Sequence, residues 1–200
     1  TVSEADKDRI KPLVSPRTTL LVGGDSRYDR VLHRASEGAL KFNSLSSAFG
    51  DVPIIIAGST WEPDEKIVFQ AFAILRKNHN NLRLIIAPHE PEIMAIQRIN
   101  VLAEKYLHRC KLYSDFDGDM IDEDVLIIDR TRILADLYSI AWAAYIGGGF
   151  GVGVHSVIEP AACALPVMFG PNHHVSHEAG LLISARGGFE IQDSNTVAEL

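Results

Sequence analysis

Short apolar runs that stop at glycine or proline, separated by segments of helical spacing, constrain this chain more than any other feature. Ile54-Ile55-Ile56-Ala57 ends in Gly58-Ser59-Thr60, and Leu82 to Ala87 ends at Pro88. Ala141 to Ile146 and Pro166 to Phe169 have the same form, and Val125 to Ile128 is a similar run that stops at Asp129. Between the first two, Pro63 suits a first helical turn, and Ile67, Val68, Ala71, Phe72 and Leu75 follow at helical spacing. Further helices are expected over Pro91 to Lys105, Ile133 to Ile140, around Pro160 to Ala164, and over Ser176 to Ala185. Thr18 to Val22, Lys111 to Tyr113 and Phe189 to Ile191 read as additional strands. Continuous apolar strands alternating with helices give a parallel sheet buried on both faces. The expected fold class is α/β, a Rossmann-like parallel sheet with helices on both faces.

Such sheets take ligands beyond the carboxyl ends of their strands. The loops expected there are Gly24-Asp25, Gly58-Ser59-Thr60, Pro88-His89-Glu90, Gly147 to His155, and Gly170-Pro171-Asn172. The richest is Gly147-Gly148-Gly149-Phe150-Gly151-Val152-Gly153. An apolar run precedes it, and His155-Ser156-Val157-Ile158-Glu159-Pro160 opens a helix after it. Glycine admits close backbone approach, and a helix start attracts phosphate. Glu159 in the first turn is placed to accept hydrogen bonds from sugar hydroxyls. These features describe a nucleotide or nucleotide-sugar site on a loop expected at the surface.

The G-x-G-x-x-G spacing inside this loop follows a late strand and lacks an acidic residue about 20 positions on, which argues against a dinucleotide site. The net charge of −7 argues against nucleic acid as a partner. Two distant cysteines, Cys110 and Cys163, make neither a disulfide framework nor a zinc site and fit a reducing, cytoplasmic setting. Asp115 to Asp124 is rich in acids but lacks the glycine and glutamate of a calcium loop, so it reads as a solvated acidic loop. His173, His174 and His177 have no ligand set to complete a metal site. Ser59 and Thr60 are expected to cap the next helix, with any bond to a substrate an addition to that role. His89-Glu90 either lies by a phosphate or base, or Glu90 favours a helix start. The first residue is not Met, and Thr196 to Leu200 is a helical pattern without a stop signal, so a fragment of a longer protein is expected.

Three stretches carry a family resemblance: Ala144 to Gly151, His155 to Ala162, and Leu165 to Asn172. They are similar to the 3-deoxy-D-manno-octulosonic acid (Kdo) transferases, GT-B glycosyltransferases of lipopolysaccharide assembly. Ala57 to Glu62, Ile85 to Glu90, and Val125 to Asp129 with Asp136-Leu137-Tyr138 resemble further segments in the same order. The resemblance runs from about Thr19 to Ile191. It implies one half of a GT-B enzyme, with residues 1–200 as the nucleotide-sugar (donor) binding domain and the N-terminal acceptor domain absent. It implies CMP-Kdo as donor, a lipid A precursor as acceptor, and inversion at the anomeric centre by direct attack.

The resemblance places the catalytic carboxylate in the absent half, so no catalytic residue is expected here and the chain alone should not complete transfer. No cofactor or metal is implied. The whole protein is expected to be peripheral to the bacterial inner membrane on its cytoplasmic face, and this fragment to be soluble. The donor-binding residues expected are Ser59, Thr60, His89, Gly148, Gly149, Gly151, His155, Ser156 and Glu159. Three positions depart from the common family pattern: Ser156 for Asn, His89 for Arg, and Gly24-Asp25 for Gly-Asn. Two alternatives stay open, a UDP-sugar enzyme of the same fold such as a 2-epimerase, and a non-catalytic nucleotide-binding module.

Overall fold

The apolar runs become the strands of one sheet. The computed structural model describes residues 1–199, and Leu200 lies outside them. Helix α1 (Glu4–Ile10) and a 3-10 turn (Lys11–Leu13) come first, then α2 (Ser26–Lys41) and α3 (Asn43–Phe49). The alternating part follows: β1 (Ile54–Thr60), α4 (Glu62–Leu75), β2 (Arg83–Pro88), α5 (Ile93–Lys105), β3 (Cys110–Leu112) and β4 (Val125–Ile127). It continues with α6 (Leu134–Leu137), β5 (Ala143–Ile146), α7 (Ile158–Ala162), β6 (Val167–Phe169), α8 (His177–Ser184), β7 (Gly188–Glu190) and α9 (Ser194–Glu199).

The strands pair in the order β3-β4-β2-β1-β5-β6-β7, every pair parallel. Side chains alternate between the two faces of a strand, and each face here has its own core. Ile54 and Ile56 of β1, with Ile85 and Ala87 of β2, pack with Leu45 and Phe49 of α3, Leu137 and Tyr138. Ala57, Leu84 and Ile86 pack with Phe69 and Phe72 of α4 and Ile99 of α5. Covering both faces is what lets the strands be apolar throughout. Among the described residues no helix is long and apolar enough to cross a membrane.

Two expectations need correction. Thr18 to Val22 is not a strand; it is irregular, and Leu21 is 74% exposed. A run of apolar and β-branched residues satisfies strand propensity, but no sheet edge meets it here. The acidic loop is also not wholly solvated. Asp124 is buried, accepts from Arg76 at 2.6 Å and from the Arg109 N–H at 3.0 Å, and so anchors the end of the loop.

Candidate functional site

β2 lies on one side of β1 and β5 on the other, so chain direction across the sheet reverses at β1. The carboxyl ends at such a reversal flank the crevice where open parallel sheets take ligands. Here the two ends touch. A Cβ at Gly147 would lie 2.2 Å from the Ser59 carbonyl oxygen, so only glycine lets the backbones cross. Ser59 itself has φ +54 and breaks the β1–β2 register. That left-handed residue turns the chain out of the sheet toward α4.

A buried carboxylate, not among the residues singled out in the sequence, locks this junction. Asp64 is 1% exposed. One oxygen accepts from the main-chain N–H groups of Trp61 and Gly148, both at 2.9 Å, and the other accepts from the Tyr145 hydroxyl at 2.8 Å. It caps α4 and pins the glycine loop at the same time. Burial, reinforced by the Asp64 charge, raises the Tyr145 hydroxyl far above the usual phenol range. An acid three residues into a helix is half of a capping box. Trp61 in place of Ser or Thr at the cap position conceals that signal. Neither Ser59 nor Thr60 caps α4, which corrects the expectation that they would; Asp64 does.

Three aromatic rings stand at the mouth. Trp61 stacks on His89 at 4.7 Å, and His89 stacks on His155 at 4.2 Å with only 10° between their planes. The Trp61 indole N–H donates to Nε2 of His155 at 2.9 Å, which leaves the His155 proton on Nδ1. Burial, with His89 adding to it, holds His155 below the usual imidazole value against the opposing charge of Asp64.

The glycine loop is less open than the sequence suggests. Gly149 is buried, and a Cβ there would lie 2.5 Å from the Gly170 nitrogen. The expectation of a surface loop is therefore corrected at Gly149, where the loop packs against the Gly170–Asn172 turn. Asn172 fixes it further, donating from its main chain to the Gly149 carbonyl at 2.8 Å and from its side chain to the Gly151 carbonyl at 2.7 Å. Gly151 is exposed, and a Cβ there would meet nothing nearer than 3.9 Å.

Beyond the loop, the Ser156 hydroxyl donates to the Glu159 carboxylate in the first turn of α7. A cavity of about 230 Å³ opens beside them, lined by His155, Ser156, Val157, Ile158, Arg27 and Glu178. Arg27 is held there by Asp25 and Glu178.

Ser59, Gly148, His89 and His155 therefore meet at the strand ends, with Ser156 and Glu159 next to them. Gly149 and Gly151 lie on the side facing the turn after β6. Thr60 lines a separate cavity with Pro88 and Arg98, and its hydroxyl is buried. His173 is buried, with Nε2 2.7 Å from a Glu190 oxygen and its ring against Phe169. Among the described residues no group of three His, Cys, Asp or Glu side chains is arranged to hold a metal.

No protein-family model matches the chain. Against curated proteins it is 29% identical over 141 residues to the 3-deoxy-D-manno-octulosonic acid transferase of Aquifex aeolicus, covering 70% of this chain and 38% of that enzyme. It is 27% identical over 199 residues to the enzyme of the same name from Haemophilus influenzae, covering 96% of this chain and 44% of that enzyme. The chain is a relative of the Kdo transferases. It spans less than half the length of either one. Among solved structures, the C-terminal CMP-Kdo binding domain of WaaA from Acinetobacter baumannii superposes with a TM-score of 0.66 at 16% identity, covering 85% of this chain and 86% of that one. A trehalose 6-phosphate synthase from Burkholderia multivorans gives 0.57 at 14% identity over 86% of this chain and 39% of that one. The fold is that of the C-terminal half of a GT-B glycosyltransferase.

Proposed function

We propose that residues 1–200 are the donor-binding domain of a glycosyltransferase that moves Kdo from CMP-Kdo to a lipid A precursor. The observation that carries this reading is the meeting of Ser59, the glycine loop and the Glu159 helix at the sheet's reversal point, in a chain related to Kdo transferases. Ser59 and the backbone N–H groups entering α7 face the phosphate. The Gly148 N–H is already taken by Asp64, so it supports the loop rather than the ligand. Glu159 accepts from the ribose hydroxyls. His89, where the family commonly has arginine, carries a positive charge only when protonated, which makes its contact with phosphate dependent on pH.

The acceptor hydroxyl attacks the anomeric carbon and inverts it, while the bond from that carbon to the phosphate oxygen breaks. A base in the acceptor half takes the hydroxyl proton, and CMP leaves with the bonding electrons. The hydrogen-bond donors named above stabilise the charge on the departing phosphate. The whole protein would work as a peripheral protein on the cytoplasmic face of the inner membrane, where its acceptor resides. The test is a transfer assay with CMP-Kdo and a lipid A precursor. The chain alone should give no product, and the chain joined to an acceptor half should turn over. Transfer by the chain alone would place the base within it, and no transfer by the joined protein would overturn the assignment.

A further inference from the structure

Trp61 holds both histidines of the aromatic stack. Its ring lies on His89, and its indole N–H donates to Nε2 of His155 at 2.9 Å. An indole nitrogen only donates, and an imidazole nitrogen that accepts carries no hydrogen. The bond therefore selects one of the two neutral forms of His155, with hydrogen on Nδ1. It also opposes the imidazolium, in which both ring nitrogens donate and Nε2 would set its hydrogen against that of the indole.

Nδ1 is left free. The Cδ2 edge of the ring lies beside Gly148, where a Cβ would come within 3.1 Å of it, so Nδ1 is on the edge turned away from that glycine. Among the described residues Nδ1 has no hydrogen-bond partner, and it is not one of the buried atoms that lack one. It is an N–H open to solvent, on a residue that lines the cavity shared with Ser156 and Arg27. Charged and titratable groups approach the ring from several elements. His89, after β2, stacks on it at 4.2 Å, and the buried Asp64 carboxylate of α4 acts on it from within. Arg27 of α2 and Glu178 of α8, paired at 2.7 Å, line the same cavity, and Glu159 of α7 accepts from the adjacent Ser156. Two stacked imidazoles disfavour carrying charge together. A neutral donor on His155 thus complements His89, which is charged only when protonated.

We propose that Trp61 is a positioning residue for the ligand's phosphate: it holds His155 in the Nδ1–H form, and that N–H donates to a phosphate oxygen. The inference rests on the donor-binding reading of the site. With hydrogen on Nε2 instead, Nδ1 would turn a lone pair toward the anion and repel it. Trp61 acts through His155 and need not touch the ligand.

The experiment combines Trp61→Phe with His155→Asn in a double-mutant cycle, read by NMR titration with CMP and with inorganic phosphate at about pH 8, where imidazoles are neutral. Phenylalanine keeps a ring to stack on His89 and leaves the main-chain N–H of residue 61 on Asp64. Asparagine puts an amide N–H near the Nδ1 position with no tautomer to choose. In the parent, the nitrogen-15 shifts of His155 should show hydrogen on Nδ1 with and without ligand, a test that stands even if a variant does not fold. Trp61→Phe should give a mixture of the two neutral forms, raise the His155 pKa, and weaken both ligands by roughly two- to tenfold. In the His155→Asn background the same change should alter affinity by less than about twofold. Hydrogen on Nε2 in the parent, unchanged affinity in a folded Trp61→Phe, or equal losses in both backgrounds would overturn the proposal, and the donor-binding reading would stand if CMP still binds. Binding of phosphate but not CMP, with the coupling intact, would count against the donor-binding reading alone. Binding of neither would overturn both.

Discussion

Asp64→Ala removes the acceptor shared by three donors at the junction of β1, α4 and the glycine loop. A hydrogen bond to a charged group contributes about 1.5–3 kcal/mol, and a buried donor left unpaired costs a similar amount. The losses overlap, because water or small movements can satisfy the Trp61 N–H at the start of α4. A total of about 3–5 kcal/mol is expected, equivalent to a Tm lowered by roughly 10 °C for a domain of this size. Asp64→Asn should be far milder, at about 1–2 kcal/mol. Its carbonyl can keep both main-chain donors, and its amide can donate to a Tyr145 hydroxyl that rotates to accept. Urea unfolding of the three proteins measures this directly. An alanine variant within about 1 kcal/mol of the parent, or an asparagine variant as unstable as alanine, would refute the claim that Asp64 holds the site together.

Gly149→Ala should lower stability, because its Cβ would press on the Gly170 backbone, whereas Gly151→Ala should melt like the parent; a circular-dichroism melt of each settles the contrast. Glu159→Gln should weaken CMP binding by roughly tenfold or more with an unchanged melt, if Glu159 bonds the ribose hydroxyls; calorimetry would show unchanged affinity if it serves only the helix start. His155 is held below the ordinary imidazole value by burial and by His89, and His108 by burial that outweighs Asp124. For both, the unfolded chain takes up a proton more readily than the folded one. Their stabilisation is complete above an unfolded value of about 6.5 and is lost as pH falls from there through the lower folded value. The urea midpoint should therefore drop between about pH 7.5 and about pH 5.5, with a shallower slope in His155→Gln; a flat profile would contradict the assignment.

The parallel sheet is legible in the sequence because its strands are buried on both faces, and continuous apolar runs such as Ile54 to Ala57 need no partner information to be recognised. The candidate loops are legible for the same reason, since they follow those strands. Thr18 to Val22 shows the limit, because propensity alone does not say whether a sheet edge is within reach. The helices from Ser26 to Phe49 are absent from the sequence reading although Tyr28, Val31, Leu32 and Ala35, and then Leu45, Ala48 and Phe49, recur at helical spacing. Arg27, Arg30, Arg34, Glu37 and Lys41 crowd the first of them and dilute that pattern, and Gly38 lets it approach the Asp136 backbone closely. Asp25, whose side chain accepts from the Arg27 N–H, is the available signal for its start.

Within the site, the residues that could touch a ligand are readable from type and position. The ones that hold them are not. Asp64 reaches Gly148 and Tyr145 across 84 and 81 positions of sequence. The stacking of Trp61, His89 and His155 likewise joins three separate loops. Glycines in such a loop suggest openings for a ligand, and at Gly147 and Gly149 their smallness serves protein backbone instead.

The most direct test of the account is a CMP titration followed residue by residue by NMR, with UMP, UDP and NAD as comparators. The account predicts saturable shifts at Ser59, Gly151, His155, Ser156 and Glu159 with CMP, weaker shifts with UMP and UDP, and none with NAD. Tight NAD binding without a response to CMP, or CMP shifts confined to residues away from the carboxyl ends of β1 and β5, would contradict it.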